Sequence, residues 1–474
     1  MDETLVFLPA TELLDLIASK QISPVELTKL YFRRIERLDP QLNSYLLTME
    51  DEALKTAVTA EQTIMKGEEL GALHGLPISI KDTQMTKGVR TTTGSLVFQD
   101  RIPDKDSAVV ERVRKAGAIL LGKTNTPEFG LVGTCANNLG DHGRNPWNTE
   151  YTPGGSSGGA AAAMSACLCA LSTGGDGGGS IRIPASFCGI YGIKPTQGRV
   201  SGYTGIQTPP ILNIFGQQGP LSRTVKDSAL LLQVMAGYDP RDPSSLREAT
   251  PDFLAAVNKD IRGLRIAWSP DYGFANVDQE VNEVTQKAAK AFEDLGCHIE
   301  TIDLRLESPY DAYGPIYETA AYASYGQYIE SHGEQLTEFS RFFIEAGSKI
   351  SGSDYARALG LIDRLRSQMD DVFTEYDLLL SPTLSVPGVR VGEFPAEVAG
   401  KPAYPHRYFG FHPFTYPINA IGHAAASIPA GFSSTGLPIG LHIVGKRDAE
   451  TTVIAASAAF EKAKPWIHHN PPVS

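Results

Sequence analysis

The chain has 474 residues, of which 42% are hydrophobic and 20% are charged, a composition typical of globular proteins. A chain of this length can bury a large core, so it needs no disulfide or metal ion for stability. The formal net charge is −12, which disfavours nucleic acids and anionic membranes as partners. The most apolar run, 160–171, is too short to span a bilayer and is predicted to be a buried helix leading into a strand.

Two features of the sequence indicate the cellular compartment of the protein. The N-terminus, MDETLVFLP, has no basic stretch and no long apolar run, so no secretory signal is expected. The cysteines are odd in number and their spacing matches no zinc site. They are predicted to be buried thiols in a reducing cytoplasm: Cys135, Cys167, Cys169, Cys188 and Cys297. The ten histidines also lack metal-ligand spacing, so no metal is expected.

Helices and strands are predicted to alternate along the chain. Residues 1–66 are expected to be helical, with a capping box at Ser23–Glu26, and a helix is expected to end at Gly67. Leu76–Ile80 is typical of a short buried strand, with Lys81 at its exit. The other predicted helices are 106–116, 224–236, 278–295 and 448–462, and the other strands are 118–121, 264–268, 298–302, 378–380, 426–429 and 439–444.

Residues 310–373 are predicted to be wholly helical and to form a cap. No linker or low-complexity run divides the chain, which favours one α/β domain over residues 1–474, with a central mixed sheet covered by helices on both faces. Its predicted parts are N-terminal helices at 1–66, a catalytic core at 67–302, a helical cap at 303–375 and a C-terminal α/β part at 376–474.

Two clusters rich in glycine and serine, 154–159 and 174–182, carry the chemical signal. Glycines let the backbone approach a ligand and turn its N–H groups toward a phosphate or an oxyanion. A phosphate loop is disfavoured because no lysine follows these glycines. A nucleophile elbow at Ser156 needs a preceding strand, whereas 148–153 has the composition of a loop. A purely structural loop is disfavoured because both clusters contain a serine.

Residues 154–201 resemble the amidase signature: a GGSSGG segment, then DGGGSIRIPA, then CGIYGIKPTQGRVS. Ser156 and Ser180 are 24 residues apart, as in that family. Upstream, GLPISIKD at 75–82 resembles the family's lysine strand. Downstream, 429–432 and 436–441 resemble its C-terminal sheet segment. The resemblance therefore extends over nearly the whole chain.

The resemblance implies a serine hydrolase that cleaves C–N bonds without an organic cofactor. Ser180 would attack the carbonyl, and Ser156, on a cis peptide, would pass the proton to Lys81. The lysine must be neutral to accept a proton, and burial at the end of a strand can lower its pKa. The implied oxyanion hole consists of backbone N–H groups: Gly177, Gly178, Gly179 and Ser180. Three residues would support these loops: Ser157, Asp176 and Arg182.

Gly177 departs from the family's pattern, since many members have a larger residue at this position. The triple glycine is expected to widen the active site or to loosen the oxyanion hole. Tyrosines recur at helical spacing over 310–325, and a second aromatic cluster occupies 404–414. Either set could be ordinary packing or a wall for apolar substrates. The candidate substrate-binding residues are Tyr317, Phe409 and Phe414.

The expected substrate is a small apolar or aromatic amide. A carbamate hydrolase of the same family and the glutaminase subunit of a tRNA-dependent amidotransferase are the alternatives. Esters should react as well, because their leaving group departs more easily. Members of this family are often homodimers, so the resemblance allows a homodimer here.

Overall fold

The computed structural model describes residues 3–206 and 214–474. A single mixed sheet of eleven strands runs through it. In chain order its strands are β1 (Tyr45–Thr48), β2 (Pro77–Lys81), β3 (Ile119–Thr124), β4 (Leu171–Asp176), β5 (Tyr191–Lys194), β6 (Gln217–Ser222), β7 (Arg265–Trp268), β8 (His298–Thr301), β9 (Leu378–Pro382), β12 (Ala425–Phe432) and β13 (Pro438–Gly445). A separate hairpin consists of β10 (Glu397–Val398) and β11 (Lys401–Pro402).

Helices flank this sheet, which confirms the predicted fold class. They are α1 (Ala10–Ala18), α2 (Pro24–Leu42), α3 (Glu50–Lys66), α4 (Ala108–Lys115), α5 (Gly158–Ser165), α6 (Arg182–Cys188), α7 (Val225–Met235), α8 (Phe253–Ala256), α9 (Gln279–Asp294), α10 (Pro309–Tyr325), α11 (Tyr328–His332), α12 (Glu338–Gly347), α13 (Gly352–Glu375), α14 (Tyr416–Ile421) and α15 (Glu450–Ala463). None of the described helices is both long and apolar enough to cross a membrane.

The strand order is β1-β3-β2-β4-β6-β5-β12-β13-β9-β7-β8. Strand β2 is parallel to both β3 and β4. The next strands in the order, β6, β5, β12 and β13, each pair antiparallel with their neighbour in this group. Because β2 and β4 are parallel neighbours, their carboxyl ends, Lys81 and Asp176, lie at the same edge of the sheet. Ligands of open α/β sheets typically bind outside that edge.

Local signals placed several helix ends correctly. The Ser23 hydroxyl accepts the N–H groups of Val25 and Glu26 at 3.1 and 3.2 Å, which caps α2. The predicted capping box is incomplete, because the Glu26 side chain does not accept the Ser23 N–H. Gly67 ends α3 in the left-handed conformation, with φ of 73°. The apolar run 160–171 forms α5, a turn and the first residue of β4, as expected.

Two expectations about regular structure were wrong. The N-terminal segment is not wholly helical, since β1 pairs antiparallel with β3 at the edge of the sheet. The segment 310–373 is not continuous either, because it folds into α10 to α13 with breaks between them. Helix α10 packs against α12 and α13. Their apolar faces form a second core beside the main one. The five cysteines are buried and free.

Candidate active site

Lys81, the last residue of β2, is buried beside two serines, with only 2% of its surface exposed. Its Nζ lies 2.8 Å from the Ser156 Oγ, 2.9 Å from the Ser157 Oγ and 3.2 Å from the Gly175 carbonyl oxygen. No described carboxylate lies within ion-pairing distance of this amine. Desolvation by burial lowers the pKa of Lys81 to about 7, against the opposing effect of the Asp176 charge.

Ser156 follows a cis peptide bond with Gly155. The backbone here passes close to its neighbours, since a Cβ on Gly155 would lie 1.9 Å from the Thr134 carbonyl oxygen. Glycine is therefore required at this position. A Cβ on Gly130 would lie 3.3 Å from the Ser156 Oγ, so the turn at Gly130 borders this serine.

Ser157 connects the two glycine-rich loops. Its hydroxyl accepts the Gly175 N–H and donates to the Gly175 carbonyl oxygen, both at 3.2 Å. Its backbone N–H donates to the Ser180 carbonyl oxygen at 3.0 Å. These bonds fix the loop after β4, which carries Ser180, against the loop that carries Ser156.

Ser180 lies between β4 and α6 and is 9% exposed. It lines a cavity of about 540 Å³ together with Lys81 and Ser156. A cavity of this size suits a small organic substrate.

Asp176 and Arg182 form a buried ion pair beneath the loop, with 3.0 Å between the Arg182 Nε and the Asp176 Oδ2. The Asp176 carboxylate also accepts the N–H groups of Gly179 at 2.7 Å and Ile181 at 3.1 Å. Burial alone would raise the pKa of Asp176. The Arg182 charge and hydrogen bonds outweigh that effect and hold the pKa well below its ordinary value. The pair therefore shapes the turn on which Ser180 lies.

The Gly179 N–H is therefore not available to an oxyanion in this structure, which corrects the expected set of four donors. Gly177, Gly178 and Ser180 keep N–H groups without an acceptor among residues 3–206 and 214–474. The Gly177 position is also open, because a Cβ there would meet only the Gly216 Cα, at 4.0 Å. Glycine is not required at 177 to avoid a clash.

Hydroxyl groups hold the carbonyls of the same loop. The Tyr313 hydroxyl donates to the Gly177 carbonyl oxygen at 2.8 Å, and the Thr415 hydroxyl donates to that of Gly178 at 2.7 Å. Fixing these carbonyls orients the peptide planes that carry the N–H groups of Gly178 and Gly179. The buried Asn419 contributes as well, since its Nδ2 donates to the Asp176 carbonyl and carboxylate oxygens, each at 2.9 Å.

The sequence did not predict these three side chains as supports of the loop. Thr415 and Asn419 are more than 230 residues from their partners, and neither belongs to a motif. Tyr313 is one of the tyrosines at helical spacing in 310–325, and this pattern does not show which hydroxyl reaches the loop.

The cavity wall is largely apolar and aromatic. Two of the predicted substrate-binding residues, Tyr317 and Phe409, line it. Phe414 does not, because it is fully buried in the second core, where its ring lies 5.0 Å from the Tyr272 ring in an edge-on contact. Other apolar or aromatic side chains of the wall include Phe98, Phe129, Leu131, Val132, Ile183, Phe215, Tyr313, Ile316, Tyr325 and Tyr328.

Within the described part of the chain, no group of three or more His, Cys, Asp or Glu side chains could hold a metal ion.

Comparisons with known proteins agree on a single family. The sequence model of the Amidase family matches residues 26–454. A glutamyl-tRNA(Gln) amidotransferase subunit from Carboxydothermus hydrogenoformans is 37% identical over 97% of each chain. An acylamidase from Rhodococcus erythropolis is 34% identical over 99% of this chain and 98% of its own.

Solved structures of proteins from the same family are also similar to this chain. A bacterial aryl acylamidase superposes with a TM-score of 0.90 at 35% identity, over 97% of each chain. A glutamyl-tRNA(Gln) amidotransferase subunit from Thermotoga maritima superposes with a TM-score of 0.78 at 28% identity, over 95% of each chain.

Proposed function

The chain belongs to the amidase signature family of amidohydrolases, which act on C–N bonds, and from that premise we propose that it hydrolyses small apolar or aromatic amides through Ser180. Ser156 carries the proton and Lys81 is the base. The observation that carries this proposal is the short contact between the Ser156 hydroxyl and a buried lysine that has no carboxylate partner among the described residues.

In the first step, the Ser180 Oγ attacks the substrate carbonyl carbon. Its proton moves to the Ser156 Oγ, while the Ser156 proton moves to the neutral Nζ of Lys81. The carbonyl oxygen becomes negatively charged, and the free N–H groups of Gly177, Gly178 and Ser180 are suited to stabilise it.

The relay then runs in reverse. Lys81 returns its proton to Ser156, which protonates the leaving nitrogen as the C–N bond breaks, and an acyl group stays on the Ser180 Oγ. Water attacks this ester and gives a proton through Ser156 to Lys81. Lys81 then returns that proton through Ser156 to the Ser180 Oγ as the ester C–O bond breaks, which releases the acid and free Ser180. Lys81 must be neutral at the start of both acylation and deacylation, and with a pKa of about 7 a large fraction of it is neutral near neutral pH.

The electrostatics of the cavity disfavour a substrate with a free ammonium group, such as glutamine. Free glutamine carries an α-ammonium group, which needs an acidic partner in a desolvated site. Among the described residues lining the cavity, Asp176 is the acidic one, and Arg182 already neutralises it. Residues 207–213, QTPPILN, carry no charged side chain.

The glutaminase subunit is the main competing function because several relatives have the amidotransferase name. The higher TM-score with the aryl acylamidase, 0.90 against 0.78, favours the acylamidase side. Carbamates share the carbonyl and the amine leaving group, so the same site can act on them.

A direct test is to purify the chain alone and give it an anilide, an aliphatic amide, a carbamate, an ester and glutamine. Aniline release should exceed that of the Ser180→Ala variant by orders of magnitude, and ammonia release from glutamine should match the variant's background. Preferred turnover of glutamine would overturn the substrate assignment and favour the amidotransferase function.

A further inference from the structure

Arg101 is a cation in the cavity wall whose role the reaction above does not explain. Its guanidinium lies 4.2 Å above the centre of the Phe98 ring. Its Nε donates to the Thr91 carbonyl oxygen at 2.9 Å, and its Nη2 donates to the Thr93 hydroxyl. A guanidinium has five N–H donors. Three of them therefore have no acceptor in the described part of the chain.

No carboxylate of residues 3–206 or 214–474 forms an ion pair with the Arg101 guanidinium. The charge of Asp82 acts on Arg101 from a longer distance, but Asp82 is already paired with Lys123 at 3.8 Å. Burial lowers the pKa of Arg101, but an arginine stays charged at neutral pH. Arg101 is only partly exposed and lines the cavity, so an anionic ligand bound there can supply the opposite charge.

Aromatic side chains connect the reacting serines to this cation. Gly130 borders Ser156, and the ring of the preceding residue, Phe129, lies 5.9 Å from that of Phe98. Phe129 stacks on Tyr325 with 3.8 Å between ring centres. Tyr325 is twelve residues after Tyr313 in α10, which places it about 18 Å along the helix from the contact with the oxyanion loop. Arg101 is thus at the far end of an aromatic passage.

We propose that Arg101 binds a carboxylate at the distal end of the substrate, so that the preferred substrates are amides whose apolar or aromatic part ends in an anion. This proposal rests on the proposed function, since it requires amide hydrolysis at Ser180. The aromatic wall would hold the spacer, and the free N–H groups of Arg101 would donate to the two carboxylate oxygens.

A purely structural role is the competing explanation, because Arg101 also ties the 91–93 segment to Phe98. The two roles differ in one measurable quantity, the ratio of kcat/KM between a carboxylate substrate and a neutral substrate of the same shape. A loss of local structure lowers both values together and leaves the ratio unchanged. A loss of ionic binding lowers the ratio itself.

Two matched pairs test both sides of the scissile bond. On the amine side, 4′-acetamidobiphenyl-4-carboxylate is compared with 4-acetamido-4′-methylbiphenyl. On the acyl side, the monoanilide of dodecanedioic acid is compared with dodecananilide, so that the carboxylates are far enough from the scissile bond to reach Arg101. Wild type should prefer the carboxylate member of at least one pair by about tenfold or more. Arg101→Gln should bring that ratio to about one, and Arg101→Lys should give an intermediate ratio.

Arg90→Gln is the matched control, because Arg90 belongs to the same loop but bonds to the Gln99 and Leu46 carbonyls and does not line the cavity. It should preserve the wild-type ratio. A wild-type ratio near or below one in both pairs, or a ratio unchanged in Arg101→Gln and Arg101→Lys, overturns the proposal. Hydrolysis of the neutral members shows in either case that the proposed function stands. If none of the four compounds reacts, the proposed function and this inference both fail.

Discussion

Lowering the pH should decrease kcat/KM as the Lys81 amine becomes protonated, since protonated Lys81 cannot accept a proton from Ser156. The structure sets the midpoint, because burial lowers the pKa of Lys81 from 10.5 to about 7. At pH 5 only about one lysine in a hundred would be neutral, against about half at pH 7. With an ordinary pKa, about one in several thousand would be neutral at pH 7.

The assay is kcat/KM for a non-titrating anilide from pH 5 to pH 10, which reports ionisations of the free enzyme. The value should rise about tenfold per pH unit below 7 and level off above. Lys194 also has a pKa lowered to about 7 by burial, but its Nζ donates to the Pro195 and His423 carbonyls and does not contact the serines.

Chemical rescue distinguishes the two lysines. Lys81→Ala should remove most activity while the fold persists, and a small primary amine added to the solution should restore part of it. The midpoint of the rescued profile should then move with the pKa of the added amine. A profile that is flat from pH 5 to pH 9, or near-full activity of folded Lys81→Ala, would refute the assigned base.

Three further predictions concern the loop and the absence of a cofactor. Gly178→Ala should lower kcat at least about a hundredfold, because its Cβ would lie 2.7 Å from the Tyr313 hydroxyl. Gly177→Ala should lower kcat far less, because the space at that position is open. Equal losses of kcat for the two variants in steady-state assays would contradict this geometry. Tyr313→Phe should lower kcat about tenfold with little change in KM, since it removes the bond to the Gly177 carbonyl; an effect confined to KM would show a role in substrate binding instead. Dialysis against a chelator should leave the rate unchanged, and a loss that zinc reverses would overturn the mechanism.

Much of the framework could be predicted from local signals. The alternation of strands and helices identified the α/β class, and the buried run before Lys81 placed that residue correctly at a strand end. Short or exposed elements were missed for physical reasons. Strand β1 has only four residues and lies at the sheet edge, so its pattern is weak. The breaks between α10 and α13 depend on how these helices pack on the second core.

Contacts between distant residues limited the prediction of the site. The aromatic cluster at 404–414 contains both Phe409, which faces the cavity, and Phe414, which faces Tyr272 in the core. Composition cannot separate these two directions. The motif likewise suggested four backbone donors, but Asp176 accepts the Gly179 N–H. Such a bond depends on the turn conformation, which residue types alone do not determine.

The identity of the acylated serine is the most direct test of the mechanism. The protein would be treated with a fluorophosphonate and digested, and the adduct would be located by mass spectrometry. We predict that the adduct lies on Ser180, that Ser180→Ala abolishes it, and that Ser156→Ala slows labelling without moving it. Stoichiometric modification of Ser156 or Ser157, with Ser180→Ala still active, would contradict the account.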